Sequence, residues 1–300
     1  MLIHIGYHKT GTTFLQTGLF NATAAGFVSP WAQSDIRRHL VLCADFTWDA
    51  ALVRQEFTQG FEDAERSGLV PVMSDERLSG SPHAGGYDSA RTARRLAEVF
   101  PDARILIGIR EQSDAIYSTY QQYVRNGGSA KIEKYLAPRH HAEIPQFRFE
   151  HWQYHHLVAL CQELFSPQRV LVLAYEQLRA NTQAWTEQIQ AFVGNPAVPV
   201  DSGERYPSLS PMGVEMKRHA NRFLFRGALN PAAPLYVRNL ESRFEHLDHV
   251  WPAPLSARIK RRNQSLVEHA TAGRYGQSNL ETAAMTGLDL GPMGYDMESQ

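Results

Sequence analysis

The sequence is short of cysteine, of long apolar runs and of net charge, and each shortage excludes a class of protein. Two cysteines in 300 residues, Cys43 and Cys161, are too few for a disulfide framework. Both lie in apolar stretches and read as buried structural thiols. No run approaches the roughly 18 apolar residues of a spanning helix, and MLIHIG begins without the basic leader of a secretory signal. The expectation is a cytoplasmic protein with no stable membrane insertion. With 30 basic and 31 acidic residues, net charge -1, no global field attracts nucleic acid, so any anion must be bound locally. Internal repeats, low-complexity segments and an H-E-x-x-H metal motif are also missing.

What is present, at 43% hydrophobic residues, is enough apolar material for one large α/β domain. Short β-prone segments alternate with helical ones. Leu2 to Ile5 is a strand closed by Gly6, and a helix begins near Thr12 or Thr13 with Leu15, Leu19 and Ala22 at helical spacing. Further strands are expected at 69–74 (LVPVMS), 104–110 (RILIGIR) and 169–175 (RVLVLAY). Helices are expected at 48–67, 88–99, from Arg110 to a stop at Gly127 and Gly128, and at 181–194. The pattern predicts a three-layer α/β sandwich with a central parallel sheet. Beyond 195, prolines at 196, 199, 207, 211, 231, 234, 252 and 254 mark a change to short helical pieces. The chain reads as a single domain, 1–300, with an α/β nucleotide-binding core (1–195) and a helical, loop-rich extension (196–300).

The chemistry starts at HIGYHKTGTT, residues 4–13. Gly6 and Gly11 have the separation of a phosphate loop, but Thr12 stands where an ATP-hydrolysing loop has its lysine, and the only lysine is Lys9, inside the loop. A strand turning through glycines into a helix converges backbone N–H groups on one point and makes an anion site. Thr10, Thr12 and Thr13 add hydroxyls. No strand ends in the single aspartate expected of a magnesium triphosphate site, so the loop suits a metal-free anion. Arg110 ends the strongest strand, and Ser118 lies two helical turns on, a guanidinium and hydroxyl able to grip a phosphate.

HKTGTT after a first strand, followed by R-x7-S in IREQSDAIYS, resembles the sulfotransferase family that uses 3′-phosphoadenosine 5′-phosphosulfate (PAPS) and has a P-loop NTPase-like fold. VLVLAYEQL (170–178), PSLSPMGVEMKRHANRF (207–223) and YGQSNLETAA (275–284) are similar to further segments of its bacterial members. The resemblance implies that Lys9 contacts the oxygen bridging phosphate and sulfuryl groups and that Thr10, Gly11, Thr12 and Thr13 hold the 5′ phosphate. It assigns the 3′ phosphate to Arg110 and Ser118, and the product would be adenosine 3′,5′-bisphosphate (PAP). The displaced lysine then fits one phosphate carrying a sulfuryl group.

An attacking hydroxyl or amine needs a base. Glu76, at the end of LVPVMS, is the first candidate, with Asp75 and His83 as rivals and His8 behind them. His151 and His155, spaced i, i+4, with the histidines of RHHAE (139–143), read as an amphipathic helix surface rather than metal ligands. Tyr117, Tyr120 and Tyr123 read as a packing stripe, and the basic run at 260–262 as a solvated helix face. Two alternatives remain: a P-loop kinase using ATP and magnesium, and a non-catalytic PAP-binding module. The acceptor, whether sugar, lipid, phenol or small metabolite, is not written in these motifs.

Overall fold

The structure, a computed structural model, describes residues 1–137, 145–200, 209–225 and 252–298, with scattered positions between 225 and 252. Five strands, β1 (Leu2–His4), β2 (Phe27–Val28), β3 (Val70–Ser74), β4 (Arg104–Ile109) and β5 (Val170–Ala174), form a parallel sheet in the order β2-β3-β1-β4-β5. Four of them match expectation. β2 has two residues, too few to carry a periodicity.

Helices α1 (Thr12–Thr17), α2 (Gln33–Ile36), α3 (Ala50–Arg66), α4 (Ser89–Val99), α5 (Gln112–Arg125) and α6 (Ile132–Leu136) come from the first half of the chain. Helices α7 (Tyr154–Phe165), α8 (Tyr175–Ala180), α9 (Thr182–Val193), α10 (Pro211–Leu224), α11 (Ala253–Thr271) and α12 (Gly276–Thr286) follow. Caps fix several boundaries. The Asp49 carboxylate accepts from Ala51 N and Leu52 N ahead of α3, and Asn181 Oδ1 from Ala184 N ahead of α9. α1 stops at Gly18 rather than running on to Ala22, and Leu19–Asn21 continues as a single 3-10 turn. α10 and α11, at 14 and 19 residues, are longer than the short pieces the prolines suggested, because Pro211 and Pro254 sit in first turns where their missing N–H costs nothing.

Side chains alternate along each strand. Leu2, Val72, Leu106 and Leu173 share one face and bury against Leu15 of α1, Leu19, and Trp185 and Ile189 of α9. Ile3, Met73, Ile105, Ile107 and Val172 point to the opposite face and are buried. α3 packs on β3, and α7 packs on β4 and β5. The strands are covered on both sides, as their nearly unbroken apolar sequences require.

The chain forms two compact units. The sheet-bearing unit comprises Met1–Glu111, Phe149–Glu204 and Gly273–Gln300, and the helical unit Gln112–Arg148 and Arg205–Ala272. Within the helical unit α5, α6, α10 and α11 pack together. The α5 stop is as expected: Gly127 has φ 101°, and Asn221 Nδ2 donates to the carbonyls of Val124 and Gly128, both at 2.8 Å. Tyr120, Tyr123, Tyr135 and Phe147 form a chain of ring contacts 4.9 to 6.2 Å apart, so the tyrosine stripe packs. Lys260, Arg261 and Arg262 are exposed, and Arg262 pairs with Glu133 at 2.7 Å.

Gly108 shows how closely the sheet carries the first loop. A Cβ there would lie 2.8 Å from Thr10 Oγ1, which already donates to the Tyr7 carbonyl at 2.6 Å and cannot retreat. Gly108→Ala should therefore destabilise the fold by about 1–3 kcal/mol. A urea midpoint equal to wild type would show that Thr10 moves aside freely.

Candidate active site

The sheet order locates the crevice. From β1 the chain crosses to the edge strand β2, comes back to β3 beside β1, then passes to β4 and β5 on the other side, so the direction of the connections reverses at the carboxyl end of β1. Ligands of open parallel sheets collect there. The loop Ile5–Gly11 leaves β1 at this point, with Ile5 N bonded to Leu106 O and Tyr7 N to Gly108 O.

Backbone conformation at the loop tip is strained. Lys9 has φ 70°, and among the described residues only Ser166 is another non-glycine with positive φ. Gly11 follows at φ 91°, and a Cβ on it would meet Leu178 Cδ2 at 2.6 Å. The left-handed pair folds the loop back so that Thr12 starts α1. Thr12 is buried, and its Oγ1 has no hydrogen-bond partner among the described residues. A buried hydroxyl without a partner is uncommon and fits a ligand that bonds it. Thr13 is exposed, whereas the Thr10 hydroxyl is spent inside the loop on Tyr7 O. Of the three hydroxyls expected to serve an anion, that of Thr10 instead shapes the loop.

Arg110 lies at the end of β4, next to β1. Its Nη1 donates to the Lys9 carbonyl at 3.4 Å, and its guanidinium sits 4.8 Å from the Tyr175 ring centroid. Tyr154 Oη donates to the Arg110 carbonyl at 2.5 Å. Glu111 N donates to Glu176 Oε1 at 3.0 Å, and Tyr295 Oη donates to Glu176 Oε2 at 3.1 Å. Burial raises the Glu176 carboxyl above its usual range, against the pull of these donors and of Arg110. The Tyr-Glu-x-Leu segment after β5 thus supplies Tyr175 to Arg110, Glu176 to the backbone beyond it and Leu178 to Gly11. These positioning residues carried only a family likeness in the sequence, and Tyr154 and Tyr295 carried no signal, because each acts across a long separation. Ser118, on α5, belongs to the helical unit and is half-buried.

Asp75 and Glu76 leave β3, the other neighbour of β1, and take different roles. Asp75 is fully buried, caps the following turn by accepting from Arg77 N at 2.7 Å, and accepts from Arg37 Nε at 2.7 Å. Burial and Glu76 raise its carboxyl despite Arg37. Both Asp75 oxygens are engaged, which argues against it as a base. Glu76 is partly exposed, with Arg37 Nη2 3.9 Å from Oε1. Ser79 Oγ, one turn on, lies 3.4 Å from the Gly6 carbonyl and ties this segment to the loop.

The histidines differ from expectation. His151 is buried against Tyr7, ring centroids 5.1 Å apart, and α7 starts only at Tyr154, so His151 and His155 share no helix face. His155 bonds Ser278 Oγ at 2.8 Å. RHHAE lies outside the described residues. Among the described residues no three His, Cys, Asp or Glu side chains are grouped to hold a metal ion. Cys161 is buried, its thiol pushed up to about 12 by burial, but Cys43 is partly exposed and not a core thiol. No helix of the described residues is long and apolar enough to cross a membrane.

A sulfotransferase crystal structure from Alicyclobacillus acidocaldarius aligns over 85% of this chain and 98% of its own, at 16% identity and a TM-score of 0.49. A sulfotransferase domain from the curacin biosynthetic pathway aligns over 87% and 96%, at 15% identity and a TM-score of 0.35. No curated protein matches. The profile described as "Sulfotransferase family" matches residues 2–199, about two thirds of the chain, and spans the loop, the β3 carboxylates, Arg110, Ser118 and Tyr-Glu-x-Leu. That match sets aside the kinase reading, and the chain belongs to the sulfotransferase family.

Proposed function

We propose that this protein moves a sulfuryl group from PAPS to a hydroxyl or amine of an acceptor by in-line displacement, releasing PAP, in the cytoplasm and without a metal. The observation that carries the reading is the loop itself: Lys9 at its strained tip and, behind it, the buried Thr12 hydroxyl with no hydrogen-bond partner among the described residues. In this reading the loop backbone and the hydroxyls of Thr12 and Thr13 hold the 5′ phosphate. Lys9 faces the oxygen between phosphorus and sulfur and stabilises the charge it acquires as its bond to sulfur breaks. Glu76 takes the proton the acceptor loses as its new bond to sulfur forms. Arg110 and Ser118 hold the 3′ phosphate, and Tyr175, stacked on Arg110, keeps the guanidinium in place.

Calorimetric titration with PAP tests the donor site. Arg110→Ala should weaken PAP binding about 10- to 100-fold, the worth of a charged hydrogen-bond donor. Tyr175→Ala should weaken it about two- to fivefold through the lost cation-π contact. Binding of magnesium-ATP in preference to PAP, or PAP affinity indifferent to Arg110, would sink this assignment. PAP binding with no transfer to any acceptor would favour a non-catalytic module.

A further inference from the structure

Beside the loop lies a group of polar side chains that the donor reading does not use. His8 follows Tyr7 in the loop and is 6% exposed; its ring is held by the Gly80 backbone, while Nε2 is buried with no hydrogen-bond partner among the described residues. His151 is 7% exposed, and its Nε2 is in the same condition. Arg77 donates through Nη2 to Asp88 Oδ2 at 2.7 Å, but its Nη1 is buried without a partner among the described residues. His83 is half-buried; Arg77 lies close enough to act electrostatically on all three rings, His83 and His151 on His8, and His83 and Asp88 on His151. Asp88 is occupied on both oxygens, by Arg77 and, at 3.2 Å, by Ser81 N. The turn carrying His83 folds tightly over the group, since a Cβ on Gly86, at φ 62°, would lie 2.1 Å from His151 Nδ1.

Two buried imidazole nitrogens and a guanidinium nitrogen without partners among the described residues are an uncommon grouping that fits a bound ligand. The arrangement selects its charge. Arg77 is permanently cationic and repels a cation. The rings are not grouped to chelate a metal. Burial keeps them neutral when nothing is bound, with His83 lowered to about 4 and His151 to about 3. An anion would restore the protonated form and turn each ring into a second donor. We infer that His8, His83, His151 and Arg77 form a subsite for an oxyanion, a carboxylate or sulfate carried by the acceptor, so that the preferred acceptor is an acidic molecule. The inference rests on the sulfotransfer reading for the word acceptor, but not for the site.

Imidazole nitrogen-15 NMR of the full chain, with PAP added to occupy the loop and inorganic sulfate as probe, tests it. PAP binding is read first by calorimetry, so a failed donor reading shows there; the same sulfate titration on Arg110→Ala reports the subsite without it. Sulfate should move the Nε2 signals of His8 and His151 and raise their pKa by about one unit or more. Arg77→Met should weaken this response about tenfold or more. His83→Gln, which leaves the Arg77–Asp88 pair intact, should weaken it too and serves if Arg77→Met does not fold. Rings that stay still at about 50 mM sulfate, well above a millimolar dissociation constant, would overturn the proposal. So would a response unaffected by both variants. With an acceptor in hand, His83→Gln should raise KM for an acidic acceptor about tenfold and change KM for an uncharged analogue by no more than about twofold. An equal effect on an uncharged analogue would overturn the charge selection.

Discussion

Lys9→Gly should lower kcat for sulfuryl transfer by about 100- to 1,000-fold, the usual consequence of removing one donor aimed at developing charge. It should also make the protein slightly more stable. Lys9 holds φ 70°, a conformation glycine adopts freely and a lysine only at a cost, so the substitution relieves strain worth about 1 kcal/mol. A variant that unfolds at higher urea yet turns over so slowly excludes misfolding as the cause. PAP affinity should change only severalfold, because the amine is assigned to an oxygen whose charge grows during the reaction. Turnover within tenfold of wild type would remove Lys9 from the chemistry.

The second large effect is loss of stability in mild acid. Unfolded imidazoles titrate near pH 6.5. In the folded protein burial lowers His4 and His151 to about 3 and His8 well below its usual value, where His83, His151 and Arg77 push it further down. As the pH falls through 6.5 the unfolded chain takes up protons that the folded chain refuses. Stability therefore drops by about 1.4 kcal/mol per pH unit for each ring once the unfolded rings are protonated. Asp75 and Glu176, raised by burial, act in the opposite sense as the pH falls toward the carboxylate range, so the decline begins as the pH passes below about 6.5 and is opposed at lower pH. Urea midpoints at pH 7, 6 and 5 measure it. An unchanged or higher midpoint at pH 5 would mean that these rings are solvated. His4→Gln should flatten the dependence by about one proton, since His4, bonded to Ser74 Oγ at 2.8 Å, sits alone among the three.

How much of this was legible in the sequence depends on the distance over which each signal acts. Strands β1, β3, β4 and β5 announced themselves because each is an apolar run bounded by a turn, and the stop at Gly127 because two glycines stand together. The loop was readable for the same reason: Gly6, Lys9, Gly11 and Thr12 lie within seven positions. What the loop does with each hydroxyl was not. Thr10 and Thr12 look alike in the string HKTGTT, and only the folded loop shows that one bonds back to the Tyr7 carbonyl while the other is buried with no hydrogen-bond partner among the described residues. The i, i+4 spacing of His151 and His155 misled because a 3-10 turn ends between them, which breaks the helical phase. Cys43 misled because its apolar neighbour Leu42 is itself 72% exposed, so composition there does not report a core.

The bond from Tyr295 to Glu176, 119 residues apart in sequence, has a consequence for the order in which the protein is made. The loop is the first part of the site to leave the ribosome, and the hydroxyl that braces the carboxylate beside Arg110 is among the last. A nascent chain can close β1 to β5 into a sheet while the backbone beyond Arg110 still lacks its outer support. The site is thus braced only once Tyr295 has been added, and a nascent chain stalled before Tyr295 carries a formed sheet with an unbraced site.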